Sequence, residues 1–80
     1  MPGAYTTVFF TAFDLDDRGQ AVSAFSPQTA PSEADAIATA TRLTEWHAGA
    51  VVWKRGGSPV VGEEGDPIVV WQRGVVGDYD

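Results

Sequence analysis

The feature that most constrains this chain is one amphipathic helix set between strand-like runs. Residues 32–49, SEADAIATATRLTEWHAG, form the one stretch with a clear helical pattern, which predicts a helix near residues 32–48. Ser32 is a favourable N-cap, and Asp35 stands three residues later, as in a capping box. Gly49 is expected to end the helix in a left-handed conformation.

The apolar face of this helix is made mostly of small side chains. At 100° per residue, Ile37, Ala40 and Leu43 lie on one side with Ala36 beside them, so the helix can lie close to a sheet. Trp46 projects from the other side. Two interpretations are open for it: cover by the C-terminal segment, which we favour, or an exposed anchor for a partner, because Trp is enriched at interface hot spots.

Four runs rich in β-branched and aromatic residues predict strands at residues 5–13, 20–25, 50–55 and 68–72. The order ββαββ predicts an α+β fold, in which one helix packs on one face of an antiparallel sheet of about four strands. Both faces of the first strand carry aromatic residues, so this strand is expected to be central or covered by a second subunit. The strand order is open between a meander and an arrangement with the first and third strands at the centre.

The remaining segments predict turns, loops and a tail. Residues 14–19 predict a hairpin turn, and residues 26–31 predict a loop because they include two prolines. Residues 56–59 predict a strand break, and residues 62–67 an acidic loop. Residues 73–80 are expected to form an extended C-terminal tail.

Composition bounds the class of protein. Eighty residues make a single domain, 1–80, and the absence of cysteine excludes disulfides and cysteine-bound zinc. With no disulfide staple, a chain of this size can gain burial by oligomerising. No signal peptide or long apolar stretch is visible, so we expect a cytoplasmic protein without membrane contact. The net charge of −6 argues against nucleic-acid binding and leaves solubility, or an acidic face for a basic partner, as its meaning.

The residues that could carry chemistry do not assemble into a known signature. Asp14, Asp16 and Gly19 match the start of a calcium-binding loop, but Arg18 and Phe25 stand where ligands belong, which favours a hairpin turn.

His47 is the only histidine, near a helix C-terminus, where a structural role is the more common one. No serine lies in a G-x-S-x-G elbow. We therefore predict no catalytic residues, no metal, no cofactor and no enzymatic activity.

The surfaces expected to interact are aromatic and acidic. In the third and fourth strands, each Trp and the Val before it point to opposite faces, so one face meets the helix and the other is predicted to form a homodimer interface. The candidate interaction residues are Trp46, Trp53, Trp71, Glu63, Glu64 and Asp66.

The chain also resembles a group of short bacterial proteins of unknown function. The resemblance spans residues 13 to about 74, roughly three quarters of the chain. Its matching features are Phe13-Asp14, Asp17-x-Gly19, Ala24-Phe25, Ser32-Glu33, Ala36-Ile37, His47-Ala48-Gly49-x-Val51, Trp53, Pro59-Val60-x-Gly62-Glu63, Gly65-x-Pro67 and Gln72-x-Gly74. The resemblance implies a stand-alone module and supplies no functional residues.

The sequence thus favours a non-enzymatic protein-interaction domain that homodimerises. One alternative is a small-ligand-binding domain with a pocket between helix and sheet, in which His47 supplies polar contacts and Ala36 and Ala40 leave room. Another is an acidic inhibitor of a basic nucleic-acid-handling protein.

Overall fold

The computed structural model describes residues 5–58, 63–64 and 67–77. In chain order the elements are β1 (Tyr5–Leu15), β2 (Ala21–Ser23), β3 (Gln28–Ala30), α1 (Glu33–Leu43), β4 (Gly49–Ser58), β5 (Glu63–Glu64) and β6 (Ile68–Gly74). The fold is α+β, with one helix packed against an open antiparallel sheet, as the sequence predicts.

Two long strands form the centre of the sheet. β1 and β4 pair in antiparallel register from Tyr5 opposite Gly57 to Phe13 opposite Gly49. β2 and β3 pair with the outer side of β1, whereas β5 and β6 pair with the outer side of β4. Of the two strand orders left open by the sequence, the one with the first and third predicted strands at the centre is therefore confirmed.

Apolar residues fill both faces of this central pair. On the helix side, the buried residues are Val8, Ala12, Ala36, Ala40, Ala50 and Val52. On the opposite side, Phe13 and Val51 are fully buried and Trp53 is 2% exposed, with the Phe9 ring stacked on Trp53 at a centroid distance of 5.6 Å. Because side chains alternate across a strand, the apolar residues of β1 contribute to both layers.

Helix α1 begins as predicted and ends earlier. The Ser32 side chain accepts a hydrogen bond from the Asp35 backbone N–H at 3.1 Å, which satisfies one free donor of the first turn. Ala36 and Ala40 are fully buried on the sheet, as the pattern predicts. The helix stops at Leu43, with Thr44 as its C-cap, and residues 44–46 continue as turns.

The prediction that Gly49 ends the helix in a left-handed conformation is wrong. Gly49 is the first residue of β4, and its φ is not positive. A Cβ at this position would overlap the backbone of Val75, so glycine is required for close approach of the chain after β6. The left-handed glycine here is Gly74, with a φ of 74°, where β6 ends.

Several segments predicted to be irregular contain strand. β3 lies inside the predicted loop 26–31, and its position on the outer side of β1 tolerates Pro27 and Pro31 at its flanks. β4 continues through the predicted break at Gly56 and Gly57, because Thr6 and Tyr5 of β1 pair with these glycines. Pro59, also part of that break, lies outside the described residues.

The acidic loop and the tail also differ from expectation. Glu63 and Glu64 form the two-residue strand β5, opposite Ser58 and Gly57 of β4. The tail begins only after Gly74, because residues 73 and 74 belong to β6. Val76 packs against the apolar layer on the side of the sheet opposite the helix. Residues 78–80 lie outside the described part of the chain.

Candidate interaction site

The candidate site lies on the turn that follows α1. The backbone N–H groups of Trp46 and His47 both donate to the Leu43 carbonyl, at 3.1 and 2.9 Å, and Glu45 N–H donates to Arg42. These bonds satisfy the last carbonyls of the helix, which have no partner within it. The turn therefore has a defined backbone, on which Trp46 and His47 are placed.

His47 connects this turn to the sheet. Its Nδ1 lies 2.9 Å from Oδ1 of Asp14, near the end of β1, and the two residues are 33 positions apart in sequence. Because a carboxylate oxygen only accepts, Nδ1 of His47 is the donor of this bond. The His47 side chain is 23% exposed and that of Asp14 45%, so the bond is partly shielded from water.

Phe25 supports the same pair from the loop between β2 and β3. Its ring meets the imidazole of His47 edge to face at a centroid distance of 6.4 Å, and meets Phe10 in the same manner at 6.4 Å. The Phe25 carbonyl accepts a 2.9 Å hydrogen bond from the fully buried hydroxyl of Thr11. The position of His47 thus depends on packing that reaches back to β1.

Trp46 itself is 76% exposed, the highest value among the exposed large hydrophobic residues of the described chain. Cover of Trp46 by the C-terminal segment, the interpretation favoured from the sequence, is therefore wrong. Residues 75–77 instead follow β6, where Val75 N–H donates to the Ala48 carbonyl and Val76 packs on the layer opposite the helix. Trp46 remains available to a partner.

The other described candidates differ from Trp46 in burial or in position on the sheet. Trp53 is buried in the layer opposite the helix, and Trp71 packs, partly buried, on the helix-side layer. Glu63 and Glu64 pair with the far end of β4 as strand β5, and Asp66 lies outside the described residues. Among the described candidates, Trp46 is therefore the exposed tryptophan, and β5 pairs with the end of β4 opposite to Gly49, where the strand leaves the Trp46 turn.

Charges near Trp46 are mainly negative. Glu45, the preceding residue, is exposed, and Asp14 lies beside the following residue, His47. The C-terminal end of α1 adds a partial negative charge from its last carbonyls. Arg42, one helical turn before Trp46, is the opposing charge on this end of the helix.

Asp14 is the site residue that sequence reasoning missed. The sequence pattern assigns Asp14 only to the start of a turn. Its hydrogen bond to His47 forms because the end of β1 lies next to the end of α1 in the folded chain. The predicted turn begins later than expected, because Asp14 and Leu15 belong to β1. Its local contacts are confirmed: Asp16 Oδ1 accepts from the backbone N–H groups of Arg18 and Gln20, both at 2.9 Å, and Gly19 has a φ of 79°. The Asp16 side chain is thus used within the hairpin.

The small residues of α1 pack directly on the sheet. Ala36 and Ala40 both have 0% exposure and belong to one cluster with Val8, Ala12 and Val52. Small side chains here bring the helix close to the sheet. In the described ranges, no three metal-ligating side chains come together, and no helix there is long and apolar enough to cross a membrane.

Comparison with protein families, curated proteins and solved structures finds no match to this chain. The class of protein is therefore defined by its fold and by the exposed Trp46 on a fixed turn.

Proposed function

We propose that this protein is a non-enzymatic protein-interaction domain that uses Trp46 as its anchor. The observation that carries the proposal is the 76% exposure of Trp46 on a turn held by backbone hydrogen bonds to Leu43 and by the bond between His47 and Asp14. An exposed indole on a fixed backbone can bury a large area in a partner with little ordering of the chain.

The expected energetic contribution of this residue is that of an interface hot spot. Truncation of such a Trp costs about 2 kcal/mol or more of binding free energy. The backbone of Trp46 is already fixed in the free protein, so most of the ordering cost on binding falls on two side-chain torsions.

The partner that this surface fits is a basic protein segment. Glu45 precedes Trp46 in the chain, and Asp14 bonds to His47, which follows it. The whole chain carries a net charge of −6, so the long-range field favours cationic partners. An Arg or Lys side chain within about 6 Å of the indole ring would gain cation–π attraction. This chemistry includes the basic nucleic-acid-handling proteins considered from the sequence.

Indole N–H resonances test the proposal. The three Trp residues give three such signals in a ¹⁵N–¹H spectrum, and Trp46→Phe identifies that of Trp46. Titration with an arginine-rich peptide is expected to shift the Trp46 signal and to leave those of Trp53 and Trp71 in place. An acidic peptide of equal length is the control. No shift of Trp46, or equal shifts with both peptides, would overturn the proposal.

Two neighbouring charges sharpen this test. Glu45→Gln removes an anion beside Trp46 and is expected to weaken peptide binding, whereas Arg42→Gln removes the opposing cation and is expected to strengthen it. Each change should amount to about 0.2–1 kcal/mol, as for an exposed ion pair, and should diminish as salt is added. Changes of the same sign for the two variants would contradict a cationic partner.

Homodimerisation is the second part of the proposal and needs another surface. The face expected to form the dimer already packs within one chain, where Phe13 and Val51 have 0% exposure and Trp53 has 2%. A dimer is therefore expected elsewhere on the sheet.

A further inference from the structure

The two edges of the sheet differ in how they are protected. On the β1 side, the edge consists of two three-residue strands, β2 and β3, separated by residues 24–27 and flanked by Pro27 and Pro31. On the β4 side, β6 is seven residues long and contains neither proline nor lysine. Within the described residues, β6 pairs only with β4, so its outer backbone groups face no strand. Such an edge is a template for a further strand.

Exposed apolar side chains flank the β6 edge on both faces of the sheet. Ile68 is 58% exposed and lies opposite Lys54, on the helix side. Val69 is 42% exposed and lies opposite Trp53, on the other side. A strand added at this edge would cover both side chains while it satisfied the backbone.

The charge of this segment favours a second copy as the added strand. Residues 67–77 contain no carboxylate and one cation, Arg73, in a chain whose net charge is −6. Two copies can therefore meet here without bringing acidic residues against each other. About a two-fold axis near Val70, the two Arg73 residues would lie five or six positions apart, about 17–20 Å at the rise of an antiparallel strand. That separation exceeds the screening length of about 8 Å at physiological salt.

The core of the single chain contains few large apolar side chains. Four of the nine buried hydrophobic residues of the described chain are alanines, namely Ala12, Ala36, Ala40 and Ala50. A small domain with a thin core gains stability when association adds buried area.

We infer that β6 of one copy pairs antiparallel with β6 of a second copy, which forms a two-fold dimer with one continuous sheet. The interface is isologous, so each chain contributes the same residues, Ile68 and Val69 among them. The β-bulge of β6, at Val70 between the partners of Val52 and Trp53, lies at the axis, so the irregularities of the two copies coincide. The inference rests on the homodimer in the proposed function and does not involve Trp46.

Solution mass with matched variants tests this dimer. Light scattering at rising concentration is expected to approach twice the chain mass of 8.5 kDa. Ile68→Glu and Val69→Glu should each raise the dimer dissociation constant about tenfold or more, the equivalent of 1.4 kcal/mol. Leu15→Glu is the control, because it adds the same charge at a residue of similar exposure, 51%, on the strand paired with β2. Circular dichroism must show that all variants are folded.

Hydrogen exchange distinguishes strand pairing from other contacts. In the dimer, the outward amide protons of β6 are expected to exchange more slowly than in diluted protein, whereas those of β2 and β3 should not change. A monomer at every concentration, or equal weakening by Leu15→Glu and Val69→Glu, would overturn the inference. Trp46→Ala should leave the dimer intact, so loss of peptide binding and loss of dimerisation can be told apart.

Discussion

His47 Nδ1 lies 2.9 Å from Asp14 Oδ1, and this hydrogen bond joins the turn after α1 to the end of β1. The bond closes a segment of the chain that includes β2, β3 and the whole helix. Because Trp46 immediately precedes His47, the bond also fixes the position of the most exposed aromatic residue described here.

Removal of either partner should destabilise the fold moderately. We expect Asp14→Ala and His47→Ala each to lower the free energy of unfolding by about 1 kcal/mol, since the pair is only partly shielded from water. Urea denaturation measures the change, and the double variant gives the coupling energy. Asp17→Ala, an exposed residue of the same turn, is the matched control and should cost less than 0.5 kcal/mol, about the limit for a surface change. Additive single changes would contradict a direct bond.

The tryptophans should separate into anchor and core by their effect on stability. Trp46→Ala is expected to change the free energy of unfolding by no more than about 0.5 kcal/mol, because its side chain is 76% exposed. Trp53→Ala should cost about 3–5 kcal/mol, because Trp53 is 2% exposed and stacked on Phe9.

A loss of that size can unfold a small domain, so Trp46→Phe and Trp53→Phe provide a milder matched pair for denaturation curves. Acrylamide quenching of the wild-type protein should find one readily accessible tryptophan, with Trp53 shielded. A large stability loss from Trp46→Phe would contradict its assignment as an exposed anchor.

The sequence predicted the local parts of this fold because they depend on neighbouring residues. The cap at Ser32, the buried face of Ala36 and Ala40 and the turn around Asp16 each depend on spacings of two to four positions. The α+β class followed from the order of these patterns.

What the sequence did not predict depends on contacts between distant segments. β3 is a strand because Val8 to Phe10 lie beside it, although its own residues, flanked by prolines, suggest a loop. The sequence predicts a helix stop at Gly49, but the role of this glycine is set by Val75, 26 positions later. The exposure of Trp46 likewise depends on residues 75–77, which are held beside Ala48 instead of crossing the helix.

The buried hydroxyl of Thr11 should contribute to stability through Phe25. Thr11→Val keeps the shape of the side chain but removes the donor at 2.9 Å and leaves the Phe25 carbonyl without that partner. We expect a loss of about 1–3 kcal/mol, the cost of an unsatisfied buried group. Thr11→Ser retains the hydroxyl and loses a methyl group, so it should cost only about 0.8 kcal/mol. If Thr11→Val were the milder of the two, the hydrogen bond would not be the important contribution.

Three glycines provide a graded test of the backbone. A Cβ at Gly19, whose φ is 79°, would meet nothing within 4 Å, so Gly19→Ala should cost only the left-handed penalty of about 1–2 kcal/mol. Gly74 has a similar φ of 74°, but a Cβ there would also overlap the Ala48 carbonyl oxygen. Gly74→Ala should therefore cost clearly more than Gly19→Ala.

Gly49→Ala tests the effect of steric overlap between a new Cβ and neighbouring backbone at a residue that is not in the left-handed conformation. Its φ is not positive, yet a Cβ would collide with the backbone of Val75, and backbone cannot move aside as a flexible side chain can. We expect Gly49→Ala to destabilise the protein more than Gly19→Ala and to release residues 75–77 from Ala48, which hydrogen exchange at the Val75 amide would detect. Because Val76 packs on the layer that holds Trp53, the same variant should increase acrylamide quenching of Trp53. Stability and quenching equal to those of Gly19→Ala would show that the segment after β6 does not require glycine at this position.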